Sequence, residues 1–234
     1  MKILRVLIGI LLLIFLTFCL AAKIYSLLIP PGTPKGSYSG FDLFWDGTGE
    51  PRVTRVNPRG PKAGTLVTAM KSLFKTYAGE DNLPRVFQQF SRVLKEMNLR
   101  SLYMALTIVK VGDHRLEIAS AGMPPILIYR SQTGMIEEIL MKTVPLGLIN
   151  DYTYRKSALD LDPGDVVVLM SDGFPERFNQ KREMFDYARV RESLAEAATS
   201  SPDEIIEHFV AAAEAWADGR PLDDDMTFVV LKVR

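Results

Sequence analysis

The spacing of apolar and polar positions changes character several times along the chain, and each change predicts a different element. Residues 6–22 carry no charge, and beyond Lys23 the chain stays apolar to Ile29. Short strands are predicted around Leu43 and Val53. Over residues 63–77, Leu66, Val67, Met70, Leu73, Phe74 and Tyr77 recur at helical spacing. A second helix is predicted from about residue 84 to 97, with Pro84 tolerated in its first turn. Its apolar face is Val86, Phe87, Phe90, Val93, Leu94 and Met97. The period then shortens to that of strands. "SLYMALTIVKV" and "HRLEIASAG" form a predicted hairpin joined at Gly112-Asp113, and "PPILIYR" and "GMIEEIL" flank a turn at Gln132-Thr133-Gly134. "TYRKSALDL" alternates like an edge strand, whereas "PGDVVVLM" has the continuous apolar run of a buried one. Helices follow at roughly 187–198 and 202–217, the second opened by Ser201 with Glu204 three residues on, a capping box. "MTFVVLKV" closes the chain as a strand. This order of helices and antiparallel strands predicts an α+β fold built as a layered sandwich.

The N-terminal run is a separate matter. About 20 apolar residues cross a bilayer as a helix, so residues 1–29 are predicted to be a single-pass transmembrane anchor. A signal peptide is the rival reading, with Lys2 and Arg5 as its basic end and Ala21 and Ala22 as its small residues. The anchor is preferred because Ile24 to Ile29 prolongs the apolar run past any cleavage site. Cys19 follows bulky Phe18 and does not read as a lipoprotein cysteine. The breaker-rich "PPGTPKGSYSG", residues 30–40, is a linker to one domain over 41–234. Lys2 and Arg5 compete with Lys23 and Lys35 under the positive-inside rule, so the flanking charges leave the orientation open.

Composition narrows the chemistry. With 28 basic against 28 acidic residues the net charge is near zero, which gives no support for nucleic-acid binding. One cysteine excludes an internal disulfide or a thiolate metal cluster, and two histidines leave little for a His-rich site or a Ser-His-Asp triad. His114 and His208 read as structural or exposed, and Phe209 and Trp216 as core. Any metal would rest on carboxylates, which favour hard cations such as Mg²⁺ or Mn²⁺. The candidates are Asp172, where "DVVVLMSDGFPE" leaves its strand, and Asp224 and Asp225, where "PLDDDMTFVVLKV" enters the last one. If those strands are neighbours, the carboxylates converge at one rim. The competing reading is that Asp-Gly makes a turn and the Asp run is a solvated loop. "NPRGPKAGTL" looks like a phosphate-cradling loop but lacks the Gly-Lys-Ser/Thr ending. Arg59 and Lys62 at that helix start could favour a phosphate, and Lys35, Arg52, Arg55, Arg59 and Lys62 an anionic lipid surface. A solvated loop is the preferred reading there.

The stretches "SAGMPPILIYR", "VPLGLI", "LDLDPGDVVVLMSDG", "LMSDGFPE" and "DDMTFVVL", in this order over roughly residues 99–234, resemble the PPM-type protein Ser/Thr phosphatases of the bacterial SpoIIE/RsbU-like branch. The resemblance implies an α/β/β/α sandwich and a binuclear Mg²⁺ or Mn²⁺ centre. There a metal-activated water attacks phosphoserine or phosphothreonine. It also implies a phosphoprotein or regulatory partner, commonly an anti-sigma-factor antagonist in a partner-switching circuit, and favours a cytoplasmic domain. Asp172 matches the metal-binding Asp of the family's "TDG" strand end. Asp224 matches the metal-binding first Asp of its "DD-I/M-T" motif, and Asp225 then shapes the loop. Gly173 lets the backbone turn beside the site.

The first half departs from the family. Its Gly-Gly-Asp-aromatic-aromatic-Asp motif is met only by "YSGFDLFWDG", where Asp42 takes an acidic position and Asp46 is a second candidate. The family's Asp-Val-Ser-Gly-x-Gly motif, whose Asp bridges both metals, aligns with "RVNPRGPKAG". Arg55 then stands for the bridging Asp, Asn57 for the Ser and Pro58 for the first Gly, while Gly60 is kept. Met123 replaces a usual His in the family's "AGHNPP"-like turn. Arg for a bridging carboxylate reverses a charge, and a guanidinium stays protonated. The preferred expectation is therefore a phosphatase-like domain with impaired catalysis and a binding or regulatory role. An active Mg/Mn-dependent phosphatase and an extracytoplasmic binding domain on the same fold are the alternatives.

Overall fold

The computed structural model describes residues 9–18, 43–44, 52–53, 61–77, 79–97, 102–112 and 114–233. In chain order the elements are β1 (Gly9–Phe18), β2 (Leu43–Phe44), β3 (Arg52–Val53), α1 (Pro61–Tyr77), α2 (Leu83–Glu96), β4 (Leu102–Gly112), β5 (Arg115–Ala121), β6 (Ile126–Tyr129), β7 (Ile136–Ile139), β8 (Lys156–Asp160), β9 (Val166–Met170), α3 (Asp186–Ala197), α4 (Pro202–Ala217) and β10 (Phe228–Lys232). They divide between two compact units interleaved in sequence. The first takes the described residues of 1–21, 40–123 and 141–161, the second those of 124–140 and 162–234.

In the first unit an antiparallel sheet runs β1-β4-β5-β8, with the small β2-β3 ribbon beside it in sequence. The tight β4-β5 connection pairs Gly112 with Arg115 and places His114 at φ 59°. The helical period seen over α2 is the period of burial, and Met70 of α1 is buried with it. Met70, Phe87, Phe90 and Leu94 cluster with Met104, Leu106 and Ile108 of β4. Asn82 caps α2 by accepting from the Arg85 amide at 3.1 Å. The α1-α2 connection is tied down by Lys110, whose Nζ donates to the Glu80 carbonyl at 2.6 Å and to Asp81 Oδ1 at 3.2 Å.

The described part of residues 1–29 does not show the expected transmembrane helix. Where that span is described, Gly9–Phe18 is strand, antiparallel to β4 from Gly9 opposite Val111 to Phe18 opposite Leu102. The rest of the span and the linker 30–40 lie outside the described residues. Among the described residues no helix is long and apolar enough to cross a membrane. A continuous apolar run has no periodicity of its own and suits a buried strand as well as a helix. β4, with β5 on one side, offers an open row of backbone donors and acceptors on the other, which a ten-residue strand satisfies.

The second unit holds a sheet of order β10-β9-β6-β7, antiparallel throughout. α3 and α4 supply its helical layer. Every residue of β9 is buried, and Val166, Val168 and Met170 cluster with Phe174, Phe185, Val190, Leu194, Ile205 and Phe209. Phe174 lies within 4.9–5.2 Å, centroid to centroid, of Phe185, Phe209 and Phe228. Trp216 is less buried than expected of core and carries Arg189 4.0 Å above its ring. The capping box is formed as predicted, Ser201 accepting from the Glu204 amide while the Glu204 carboxylate accepts from the Ser201 amide.

A buried charge holds the entry to β9. Asp165 is fully buried. Its carboxylate accepts from Arg130 Nη1 at 2.8 Å, from the Ser131 amide at 2.9 Å and hydroxyl at 3.2 Å, and from the Asp162 amide at 3.1 Å. Burial pushes its pKa up, but these four donors outweigh burial and hold it below the ordinary aspartate range. Arg130 also binds Glu137 Oε2 at 2.8 Å, which keeps the guanidinium firmly charged.

Candidate functional site

Pairing of β9 with β10 decides where the acidic residues meet. The ladder runs from Lys232 opposite Val166 to Phe228 opposite Met170, so the exit of β9 and the entry to β10 lie at one rim. Ser171 closes that rim. Its amide donates to the Thr227 carbonyl at 3.0 Å, its Oγ accepts from the Thr227 amide at 2.9 Å, and its hydroxyl donates to the Asp225 carbonyl at 3.0 Å. The next residue but one must be small. A Cβ on Gly173 would run into the Asp225 carbonyl oxygen and lie 2.9 Å from its carbonyl carbon. Asp172, Gly173, Asp224 and Asp225 are therefore neighbours at one rim, and the bare Gly173 leaves room for the Asp225 backbone.

The electrostatics of the rim are one-sided. Burial raises the pKa of Asp172, against hydrogen bonds from its own and the Gly173 amide. Asp224 is raised by burial and by the charges of Asp172 and Asp225, although it accepts from the Asp225 amide at 2.7 Å. Glu176, which sequence reasoning did not single out, is the third member. It is exposed as a residue, yet partial desolvation and then the charges of Asp172 and Asp224 raise its carboxyl. The turn places it there, since the Glu176 amide donates to the Asp172 carbonyl at 2.9 Å. The available signal was its position four residues after Asp172 in "SDGFPE". Tyr187, in the first turn of α3, is pushed up to about 12 by burial, Glu176 and Asp172. Among the described residues no Lys, Arg or His forms an ion pair with Asp172, Glu176 or Asp224.

The donors at this rim fit a hard divalent cation in kind but not in number. They are carboxylate oxygens, as Mg²⁺ or Mn²⁺ requires. Yet among the described residues no three His, Cys, Asp or Glu side chains are placed to hold one ion together. Asp42 and Asp46, the further acidic candidates, lie outside the described residues, as do Arg55, Asn57, Pro58 and Gly60. Met123 is buried just past β5. No reaction step through a metal follows from the described donor set.

The model of the family described as Stage II sporulation protein E (SpoIIE) matches residues 56–234. The phosphoserine phosphatase RsbU of Bacillus subtilis (strain 168) is 26% identical over 161 residues, covering 65% of this chain and 48% of RsbU. The chain thus spans about half the length of that relative. The SiaA-PP2C domain of Pseudomonas aeruginosa is similar in fold, with a TM-score of 0.64 at 18% identity over 74% of this chain and 69% of that one. The PP2C phosphatase domain with a fragment of the regulatory domain of SpoIIE from Bacillus subtilis also has a TM-score of 0.64. It is 19% identical over 97% of this chain and 64% of that one.

Proposed function

From the membership of this chain in the SpoIIE family of PPM-type phosphatase domains, we propose that it is a phosphatase-like domain whose metal-dependent catalysis is impaired and whose role is to bind a regulatory partner. The observation that carries the reading is the reversal of charge at Arg55, set against the retained pair Asp172 and Asp224. The family pattern asks for a carboxylate bridging two cations at the position that Arg55 matches. A guanidinium stays protonated and cannot serve as a bridging metal ligand. The partner class is a protein carrying phosphoserine or phosphothreonine, as in partner-switching circuits; the RsbU relative is named a phosphoserine phosphatase. Asp172 and Asp224 keep the carboxylate chemistry that Mg²⁺ or Mn²⁺ requires, without a third ligand among the described residues.

The full chain should show no Mn²⁺-dependent hydrolysis of a phosphoserine peptide or an aryl phosphate above that of its Asp172→Asn variant. Arg55→Asp should tighten Mn²⁺ binding, read by calorimetry, by at least about tenfold, a modest return for restoring one carboxylate ligand. Mn²⁺-dependent turnover in the unaltered chain, abolished by Asp172→Asn, would instead establish an active phosphatase.

Location is a further part of the proposal. The charge-free run over residues 6–22 is long enough to cross a bilayer. We assign the chain to a membrane, with its domain on the cytoplasmic side as the family resemblance implies. In that state Gly9–Phe18 leaves the edge of β4, because one segment cannot both pair in a sheet and span hydrocarbon. The chain should then pellet with membranes and resist extraction by alkaline carbonate, and a reporter fused after Arg234 should read cytoplasmic. Release into the carbonate supernatant would favour the strand.

A further inference from the structure

We infer that Arg177 is a positioning residue for the acidic rim, holding the Asp224 segment in place through backbone carbonyls. The inference rests on reading Asp172 and Asp224 as a paired site. The Arg177 side chain is 5% exposed. Its Nη1 donates to the Pro221 carbonyl at 2.5 Å and its Nη2 to the Arg220 carbonyl. Asp223 lies 3.9 Å from Nη1 and is itself held by Arg220 through two contacts of 3.1 and 2.8 Å. The backbone of Arg177 is fixed in turn: its amide donates to the Phe174 carbonyl at 3.2 Å, and its carbonyl accepts from the Phe185 amide at 2.8 Å.

These contacts complete a clamp on the segment that carries Asp224. Downstream, Ser171 holds the Asp225 carbonyl and the Thr227 amide. Upstream, Arg177 holds the carbonyls of residues 220 and 221. Leu222, Asp223 and Asp224 form the short arch between the two fixed ends. Pro221 has no amide hydrogen, so its carbonyl is the one backbone group there that can be anchored by hydrogen bonding. The planar fork of a guanidinium reaches two carbonyls at once, which a lysine ammonium does as a single point. A buried arginine is a costly space filler, and an apolar residue fills volume with less desolvation. Arg177 also follows Glu176 directly, so one residue couples the turn bearing Glu176 to the arch bearing Asp224. Asp172, Glu176 and Asp224 repel one another when charged, and the clamp holds the arch that carries Asp224 beside them.

Nuclear magnetic resonance of the full chain in EDTA tests this. In the unaltered chain the Asp224 carboxyl ¹³C shift should respond to Asp172→Asn. In an Arg177→Ala background that response should fall by at least about half, and amides of residues 222–226 should exchange at least about tenfold faster while those of α4 keep their rates. Arg177→Lys should recover part of both effects, since it keeps one donor for one carbonyl. An Asp224 response that is the same with and without Arg177 overturns the positioning role alone. Exchange that quickens equally in α4 also overturns it, as general destabilisation. No response of Asp224 to Asp172→Asn in the unaltered chain overturns the paired site itself.

Discussion

Replacing Asp165 by asparagine should lower stability by about 3 kcal/mol, the low end of what breaking one side of a buried ion pair costs. The loss is large because four donors converge on a carboxylate that has no contact with water. Asparagine keeps one acceptor and turns an NH₂ toward donors, and Arg130 loses the Asp165 carboxylate while keeping Glu137. In thermal unfolding the melting temperature should fall by about 6–12 °C for a chain of this size. The pH dependence follows from the depressed pKa of Asp165. A carboxyl depressed in the folded state contributes fully above its unfolded value, about 3.9, and loses that contribution as pH falls through its lower folded value. The gap between the unaltered chain and Asp165→Asn should therefore hold from neutral pH to about pH 4 and narrow only below it. A melting temperature within 2 °C of the unaltered chain, roughly a single surface-level effect, or a gap already closed at pH 6, would refute this account.

Gly173→Ala should cost about 2 kcal/mol and act on the rim. The added Cβ meets the backbone of Asp225 and lies 3.4 Å from the Asp224 carbonyl carbon. Backbone cannot rotate away as a flexible side chain does, so the segment held by Ser171 and Arg177 must shift. The urea midpoint should fall with an unchanged m-value, since no extra surface is exposed. The Asp224 amide resonance should move much more than those of α3 or α4. Gly173→Val should be worse on both counts. An unchanged urea midpoint would mean that the β10 entry yields freely, which the double hydrogen bonding of Ser171 argues against.

Helices and strands of the domain could be read from local pattern because each follows from the spacing of its own residues. The burial face of α2, the fully buried β9 and the Ser201–Glu204 capping box are sequence-local features, and they form as read. Asp172 and Asp224 flank the strands β9 and β10, at the positions where their motifs place them. The N-terminal run marks the boundary of such reading. Ten of its residues pair with β4, a choice that depends on a strand about ninety residues away and leaves no trace in local periodicity.

Spacing and residue type alone thus determined most elements of residues 61–234 and the family resemblance, with Asp172 and Asp224 as the candidate residues it points to. Tertiary structure decided the rest. Glu176 joins the rim because a turn brings it back on Asp172, and Arg177 clamps residues 220 and 221 from more than forty positions away. Asp165, read in sequence only as part of a turn-and-strand motif, becomes a buried ionic anchor because Arg130 and Ser131 arrive from the neighbouring β6 end. These roles arise where backbone carbonyls, amides and charges from distant segments must satisfy one another out of water, a condition that no local pattern encodes.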